Sequence, residues 1–410
     1  MIKKVPFVKH FFCIFSPEEK NRIKPSRYIM NILMEVLTVL LVLSCVTYLA
    51  GVAAVILALH SIRAGNEPGT PTVSVIVAAR NEAERLGRCL DSLRAQDYPP
   101  DRYEVVVADD RSDDDTTDIL RRYERSWDRL RAIRIELTPE GVSPKKHALA
   151  SAIALARGEL ILQTDADCVA PGSWIRGMAS RFEPDVGFVA GIAPYLSGRG
   201  TLNSFIRHEY LWNAALSAAS IALGRGTHAS GRNLGFRKEV FERIGGYGDT
   251  ARIRSGDDTL LLHRIQKSGI ARAVTMPARE THIATEAPGN FSSFISQRIR
   301  HLSTGRYFDG IHLALGTFVY GFHIALVVAL ALSPFYGTAR TLLIGGFLAK
   351  TAADMTVAVR VERKLGLEIQ YQRFVLNELL MIPYMSLLPL AGLFIPVKWK
   401  EKNVEKRNAV

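Results

Sequence analysis

Asp165-Ala166-Asp167 puts two carboxylates one residue apart, directly after the apolar run Glu159-Leu160-Ile161-Leu162-Gln163. In an extended chain, alternate side chains share a face, so the pair is expected to point one way. Carboxylate oxygens suit a hard divalent cation, magnesium or manganese, that leaves positions open for phosphate oxygens. By itself a D-x-D pair is equally two solvated acids at a strand end. The stretch 109–115 carries five Asp in seven positions. That density suits a cation, or the hydroxyls and ring nitrogens of a nucleoside. Asp113 to Asp115 read more simply as a solvated turn feeding a helix capped by Asp115. Lys145 and Lys146 offer cations to a phosphate, or are ordinary surface lysines.

Ser255-Gly256-Asp257-Asp258 opens a helix expected over Thr259 to Lys267 and closed by Gly269. Ser255 or Asp257 would serve as its cap. Capping explains one carboxylate and leaves the adjacent one over, so one of the two is a candidate general base for an acceptor hydroxyl. Residues Asn290 to Tyr307 hold Gln297-Arg298-Ile299-Arg300-His301 among Phe291, Phe294, Ile295 and Leu302. The pattern predicts an amphipathic interfacial helix over 290–307, its arginines set to bind lipid phosphate or to clamp a diphosphate.

These residues need elements to position them. Val73 to Ala78, Glu104 to Ala108, Ala132 to Leu137 and Glu159 to Gln163 have the composition of buried strands. Helical stretches lie between them, at Asn81 to Gln96, Thr116 to Trp127 and His147 to Ala156. Strands alternating with helices imply an α/β fold with a mostly parallel sheet, whose ligands gather at the carboxyl ends of the strands. Three strands end in polar loops there: Ala79-Arg80-Asn81-Glu82, Asp109-Asp110-Arg111-Ser112 and Asp165-Ala166-Asp167.

Ordinary soluble composition is confined to a central domain at 65–305, the part that would carry these candidate site residues. Val36 to Leu59 has no charged residue over 24 positions, enough for a helix to cross a bilayer. Further spans are expected at 311–335, at 340–360 with Lys350 and Asp354 inside, and at 374–395, which is transmembrane or re-entrant, with Glu378 inside and Pro383 and Pro389 breaking its regularity. Thus a span at 36–59 precedes the domain and the others follow it. The formal charge is +12, of which residues 1–28 carry +5, 360–373 carry +2 and the tail 397–410 carries +3. The excess flanks the apolar runs, which points to anionic lipid headgroups and away from nucleic acid. Four cysteines lie scattered, with no metal-site spacing. Met30 and Met34 stand just before the first span as alternative start positions, and a start there would leave the basic segment 1–28 untranslated natively.

Together these motifs resemble glycosyltransferase family 2, in its membrane-associated branch that is similar to processive polysaccharide synthases. Val75-Ile76-Val77-Ala78-Ala79-Arg80-Asn81-Glu82 resembles the family's first strand and nucleotide loop, which implies a nucleotide-binding role for Asn81 and Glu82. Val107-Ala108-Asp109-Asp110-Arg111-Ser112 resembles its V-D-D-x-S motif, implying a nucleotide contact through Asp109 or Asp110. Lys145 with Ala148-Leu149 matches K-x-x-A-L. Asp165-Ala166-Asp167 matches D-x-D, implying metal through Asp167, with Asp165 contacting the sugar nucleotide and sharing the cation. Gly231-Arg232-Asn233-Leu234-Gly235-Phe236-Arg237 resembles an acceptor-side segment. Asp257-Asp258 stands where the family has Glu-Asp, which makes Asp258 the catalytic base and sets Asp257 beside the acceptor. Gln297-Arg298-Ile299-Arg300 matches the diphosphate clamp Q-x-x-R, and His301 stands where polymer synthases have Trp.

The resemblance implies a nucleotide-sugar-binding (GT-A-like) domain and an inverting, metal-dependent transfer. The sugar would pass from a nucleoside-diphosphate sugar to a hydroxyl of a lipid-linked or saccharide acceptor at the lipid bilayer. The expected setting is a bacterial inner membrane with the domain facing the cytoplasm. A synthase that also threads its polymer through the membrane, and a nucleotidyltransferase, are the alternative readings. The second fits the separate Asp258 and Q-x-x-R block poorly.

Overall fold

The structure is a computed structural model that describes residues 25–63, 65, 69–302 and 310–394. Most of the basic segment 1–28, the tail 397–410 and the end of 290–307 lie outside the described residues. The first helix, α1 (Pro25–Ser61), carries the apolar run and leads to the sheet.

The central part then alternates as expected. It runs β1 (Val73–Ala79), α2 (Ala83–Arg94), β2 (Tyr103–Asp109), α3 (Thr116–Ser126), β3 (Leu130–Arg134), α4 (Pro144–Leu155) and β4 (Leu160–Asp165). Next come α5 (Trp174–Ala179), β5 (Val186–Ala190), α6 (Thr201–Ala222), β6 (Leu234–Arg237), α7 (Lys238–Arg243), α8 (Thr259–Ser268) and β7 (Arg272–Thr275). Four helices close the described chain: α9 (Phe291–Leu302), α10 (Gly310–Leu332), α11 (Gly337–Leu365) and α12 (Phe374–Phe394).

The seven strands form one sheet in the order β3-β2-β1-β4-β6-β5-β7, parallel except for β6, which runs against β4 and β5. The strand period of two sorts the core onto two faces. Val75, Val77, Val105, Val107 and Leu162 pack with Leu86, Leu90 and Leu93 of α2. Ile76, Val106 and Ile161 pack with Ala148, Leu149, Ala152 and Ile153 of α4. The chain leaves β1 toward β2 and β3, then returns to β4 on the other side of β1. At that reversal the connecting segments diverge and leave a crevice at the strand ends.

Two expectations shift. The third strand runs over Leu130–Arg134 instead of Ala132 to Leu137, because β2 ends at Asp109 opposite Arg134 and leaves Leu137 nothing to pair with. The 22-residue α6 has no counterpart in the sequence reading. It is apolar on several sides because it is sandwiched between the sheet domain and the apolar helices, so it lacks the single stripe that marks a surface helix.

The apolar helices α1, α10, α11 and α12 pack together and against α6, through Tyr48, Leu59, Ala215, Phe322, Leu326 and Val357. Large apolar side chains such as Val39, Leu43, Val46, Leu330, Leu348 and Leu387 face outward from this bundle. Met34–Ser61 and Gly337–Leu365 are long and apolar enough, by length and composition, to cross a membrane. Lys364 Nζ reaches the His60 and Ile62 carbonyls, and Glu368 pairs with Arg279 and Arg207, so the loop between α11 and α12 rests against the sheet domain. Helix α12 runs through Pro383 and Pro389 without ending.

Candidate active site

The loops after β1 and β2 are tied into one surface. Asn81 and Arg111 both take left-handed backbone angles, φ 56° and 57°, at the two strand ends. The Asn81 amide donates to Ser112 Oγ, the Asp113 amide to Asn81 Oδ1 and the Glu82 amide to Thr116 Oγ1. Asp109 is wholly occupied by the fold: it accepts from the Ser112 amide, Thr117 Oγ1 and Arg134 NH1. Asp110 pairs with Arg111 at 2.8 Å and Arg80 at 3.7 Å. Of the two acids left open by the sequence, Asp110 is the one not consumed by structural bonds to its own loop amides. Asp114, not Asp115, is the residue that caps the turn, accepting the Thr116 amide on one oxygen and the Ala83 amide on the other.

Beside β4 stands a compact charged group. Lys145, in the first turn of α4, places Nζ 3.0 Å from Asp165 Oδ1 and 3.1 Å from Asp257 Oδ2. Gln163, fully buried in β4, donates to the same Asp257 oxygen at 3.1 Å. Burial pushes Asp257 up, but the Lys145 ammonium and this amide hold it below the usual carboxylate range. The chain enters this pair through Gly256 at φ 76°, a conformation that favours glycine.

Asp258 caps α8: its Oδ1 accepts the Thr259 amide at 2.6 Å. The cap is therefore neither Ser255 nor Asp257. Its Oδ2 accepts the Gly231 amide at 2.8 Å. Burial, and then the Asp257 charge, push Asp258 up to about 6 against these donors. Each oxygen keeps a second lone pair, so the group retains the capacity to take a proton near neutral pH. Adjacent carboxylates driven apart in this way suit one holding role and one base role.

Gly231 makes the packing possible. A Cβ there would lie 3.1 Å from Asp257 Oδ2, 3.2 Å from Gln163 Nε2 and 3.5 Å from Asp258 Oδ2. Lys146 is set apart from Lys145. It is buried, donates to the Thr250 carbonyl at 2.7 Å, and burial lowers it to about 8. Its task is to pin the 3-10 turn Gly248–Arg252 ahead of the carboxylates.

The D-x-D pair departs from the extended picture. β4 stops at Asp165, and the Cys168 amide turns back to the Asp165 carbonyl at 3.1 Å, so Asp167 sits in a turn. Both carboxylates are partly exposed. Among the described residues no group of three His, Cys, Asp or Glu forms a metal cluster. Two oxygen donors with open positions fit a magnesium or manganese ion that takes its remaining ligands from phosphate and water.

The helix α9 divides its motif. Arg300 is half-buried and within electrostatic reach of Asp165 and Asp257. Gln297 accepts from Tyr195 Oη at 3.5 Å. Arg298 points elsewhere: it is 8% exposed and binds Glu209 of α6 at 2.6 Å, and Tyr384 of α12 donates to the other Glu209 oxygen at 3.1 Å. His301 is exposed at the helix end. Sequence reading gave Gln163 no role of its own beside the D-x-D pair, and passed over Tyr195, Glu209 and Tyr384 as site residues. A polar Gln inside the apolar run of β4 was the available signal for the first; Glu209 lies in the undetected α6.

Residues 74–245 match the profile described as Glycosyl transferase family 2, and residues 160–358 that described as Glycosyl transferase family group 2. The matched residues belong to glycosyltransferase family 2. It is 28% identical over 200 residues to "Glycosyltransferase AglE" of Haloferax volcanii, covering 48% of this chain and 62% of that protein. It is 26% identical over 219 residues to "Beta-monoglucosyldiacylglycerol synthase" of a Synechocystis species, covering 52% and 45%. The chain thus spans about half the length of the curated relatives it matches. The fold is also similar to that of a Pyrobaculum calidifontis structure titled a mannosyltransferase in complex with GDP-Man and Mn2+. The TM-score is 0.57 at 22% identity, over 86% of this chain and 98% of that one. The mixed, mostly parallel sheet with helices on both faces is accordingly the GT-A-like fold expected from the sequence.

Proposed function

We propose that this chain is an inverting glycosyltransferase that moves a sugar from a nucleoside-diphosphate sugar to a hydroxyl of a lipid-linked or saccharide acceptor at a membrane. The observation that carries the reading is one crevice where Lys145 joins Asp165 to Asp257 while Asp258, raised to about 6, stands beside them. Asp258 takes the proton of the acceptor hydroxyl as that oxygen bonds to the anomeric carbon. The bond from that carbon to the diphosphate oxygen breaks on the opposite side, and its electron pair leaves with the nucleoside diphosphate. Asp110, with Asn81 and Glu82, lines the nucleotide side. Lys145 and Arg300 offer cations to the leaving group. Asp167 with Asp165 would hold a divalent cation, which offsets diphosphate charge when bound.

The family membership and the relatives named for glycosyl transfer support this chemistry. The glucosyldiacylglycerol synthase by its name acts on a lipid, and the outward apolar faces of α1, α10, α11 and α12 favour a bilayer around this bundle. The sheet domain then faces the cytoplasm, where nucleotide sugars are found. The deciding experiment measures nucleoside diphosphate release from a panel of sugar nucleotides, with Asp258→Asn as control. Turnover should fall by about 10²- to 10⁴-fold in the variant, with donor binding kept. Near-parental turnover would remove the base assignment, and no release from any donor would remove the reading.

A further inference from the structure

Arg232 is a cation that the fold positions and then leaves incomplete. Its neighbours on both sides are pinned. Gly231 is held by Asp258 and lies against Gln163. Asn233 is fully buried, accepts the Trp174 indole N–H at 2.9 Å, and donates to the Ile192 and Thr281 carbonyls at 2.8 and 2.9 Å. The Arg232 backbone is therefore held in place between them. Its guanidinium lies 4.8 Å from the Tyr195 ring centre and 6.0 Å from that of Tyr210.

Its bonding is poor for such a defended place. Nε makes one long contact, 3.4 Å, to Ser230 Oγ, and the NH1 nitrogen is buried with no partner. Among the described residues no carboxylate pairs with it. Arg298, 5.9 Å from the same Tyr195 ring, shows the contrast, since Glu209 neutralises it. A buried guanidinium nitrogen without an acceptor is costly, and an anion entering the crevice would supply one. The planar fork matches the oxygens of a phosphate in pairs.

Two routes lead to this point. Arg232 stands within electrostatic reach of Asp165 and Cys168, on the donor side. Tyr195 also belongs to an apolar cluster with Phe205, Phe294 and Met381, which Tyr384 of α12 completes on the side of the apolar helices. The geometry points to Arg232 as a phosphate-binding residue of the crevice, gripping either the diphosphate of the donor or a phosphate ester on a lipid acceptor. The role rests on the glycosyltransferase reading only for which phosphate is meant.

Titration calorimetry of the full chain in detergent micelles tests it, with inorganic pyrophosphate, uridine and guanosine diphosphates, and farnesyl phosphate as probes and magnesium present. Arg232→Gln should raise the dissociation constant of at least one probe about tenfold or more, and Arg232→Lys, which keeps charge but loses the fork, by a smaller factor. Weakening confined to pyrophosphate and the nucleotides assigns the donor; weakening confined to farnesyl phosphate assigns the acceptor. Parental affinity for every probe in Arg232→Gln, with or without a lowered melting temperature, makes the residue a mere strut against Tyr195 and overturns the inference. If Arg232→Gln does not fold, Arg232→Lys carries the test, and unchanged affinities overturn it equally. Binding needs no turnover, so a parent protein that transfers no sugar would sink the functional reading and leave this one standing.

Discussion

The amide of Gly231 donates to Asp258 Oδ2 at 2.8 Å, so the candidate base is oriented by the backbone of a strand-entry segment 27 positions earlier in the chain. A Cβ on the same glycine would crowd Asp257 at 3.1 Å and Gln163 at 3.2 Å. Gly231→Ala should therefore push the carboxylates by a few tenths of an ångström and lower turnover by about tenfold, since small misplacements of reacting groups are expensive. Steady-state kinetics at saturating donor checks this; an unchanged kcat would mean that the Asp258 position is not critical.

The acid limb of the rate follows from Asp258. A base works when deprotonated, and its acid form is favoured by burial and by the Asp257 charge, to about 6. kcat/KM should fall as pH drops through about 6. Asp257→Asn removes the like charge, so the limb should move to lower pH even where the absolute rate suffers. A pH profile of both proteins decides; a limb moving upward would show that another group titrates.

Lys145 compensates Asp165 and Asp257 together. Lys145→Met leaves both carboxylates without their cation, and the protein should lose about 2 kcal/mol of stability, in line with bonds to charged groups. Donor affinity should fall with it. Thermal melting and donor titration of the variant report the two effects separately, and no change in either would make the lysine a bystander.

Glu209 and Arg298 form a buried ion pair joining α6 to α9. Glu209→Gln should cost about 3 kcal/mol, because it strands a buried guanidinium. It should also raise amide hydrogen exchange over residues 291–302. Pairing it with Arg298→Met should recover much of the loss, as a double-mutant cycle would measure. Additive losses would mean that the two side chains do not act on each other.

Within the helix bundle, Lys350 is enclosed by Asp354 at 2.6 Å and by Glu378. Tyr48 donates to Asp354 at 2.6 Å, and His208 of α6 lies 2.8 Å from Glu378. Lys350→Met would leave two acids with no ammonium between them and should abolish stable expression. Replacing Lys350, Asp354 and Glu378 together by apolar residues should restore it. Detergent-extracted yield and melting temperature are the readouts; a well-folded Lys350→Met protein would show that the acids are held neutral.

Much of this was legible locally. The β-branched runs of β1, β2 and β4, the leucine stripe of α2 and the Gly269 stop of α8 are set by period and by backbone preference, which act over a few residues. The sequence likewise marked the three polar loops at the strand ends, the outlying Asp258 and the apolar helices, because composition and strand-end position are one-dimensional properties. Lys350 and Asp354 were within reach of each other by helical spacing alone. What only tertiary structure decided is which charges meet. Lys145 is bound to Asp165 by a contact across 20 positions and to Asp257 across 112. Arg298 is taken by Glu209, so that Arg300 is the arginine left facing the carboxylates. Glu378 and His208 complete the Lys350 pair from two other helices. Coulomb interaction falls with distance in space and is indifferent to distance along the chain. The choice between a capping carboxylate and a base, or between a clamp and a strut, therefore waits on the packing that brings partners within a few ångströms.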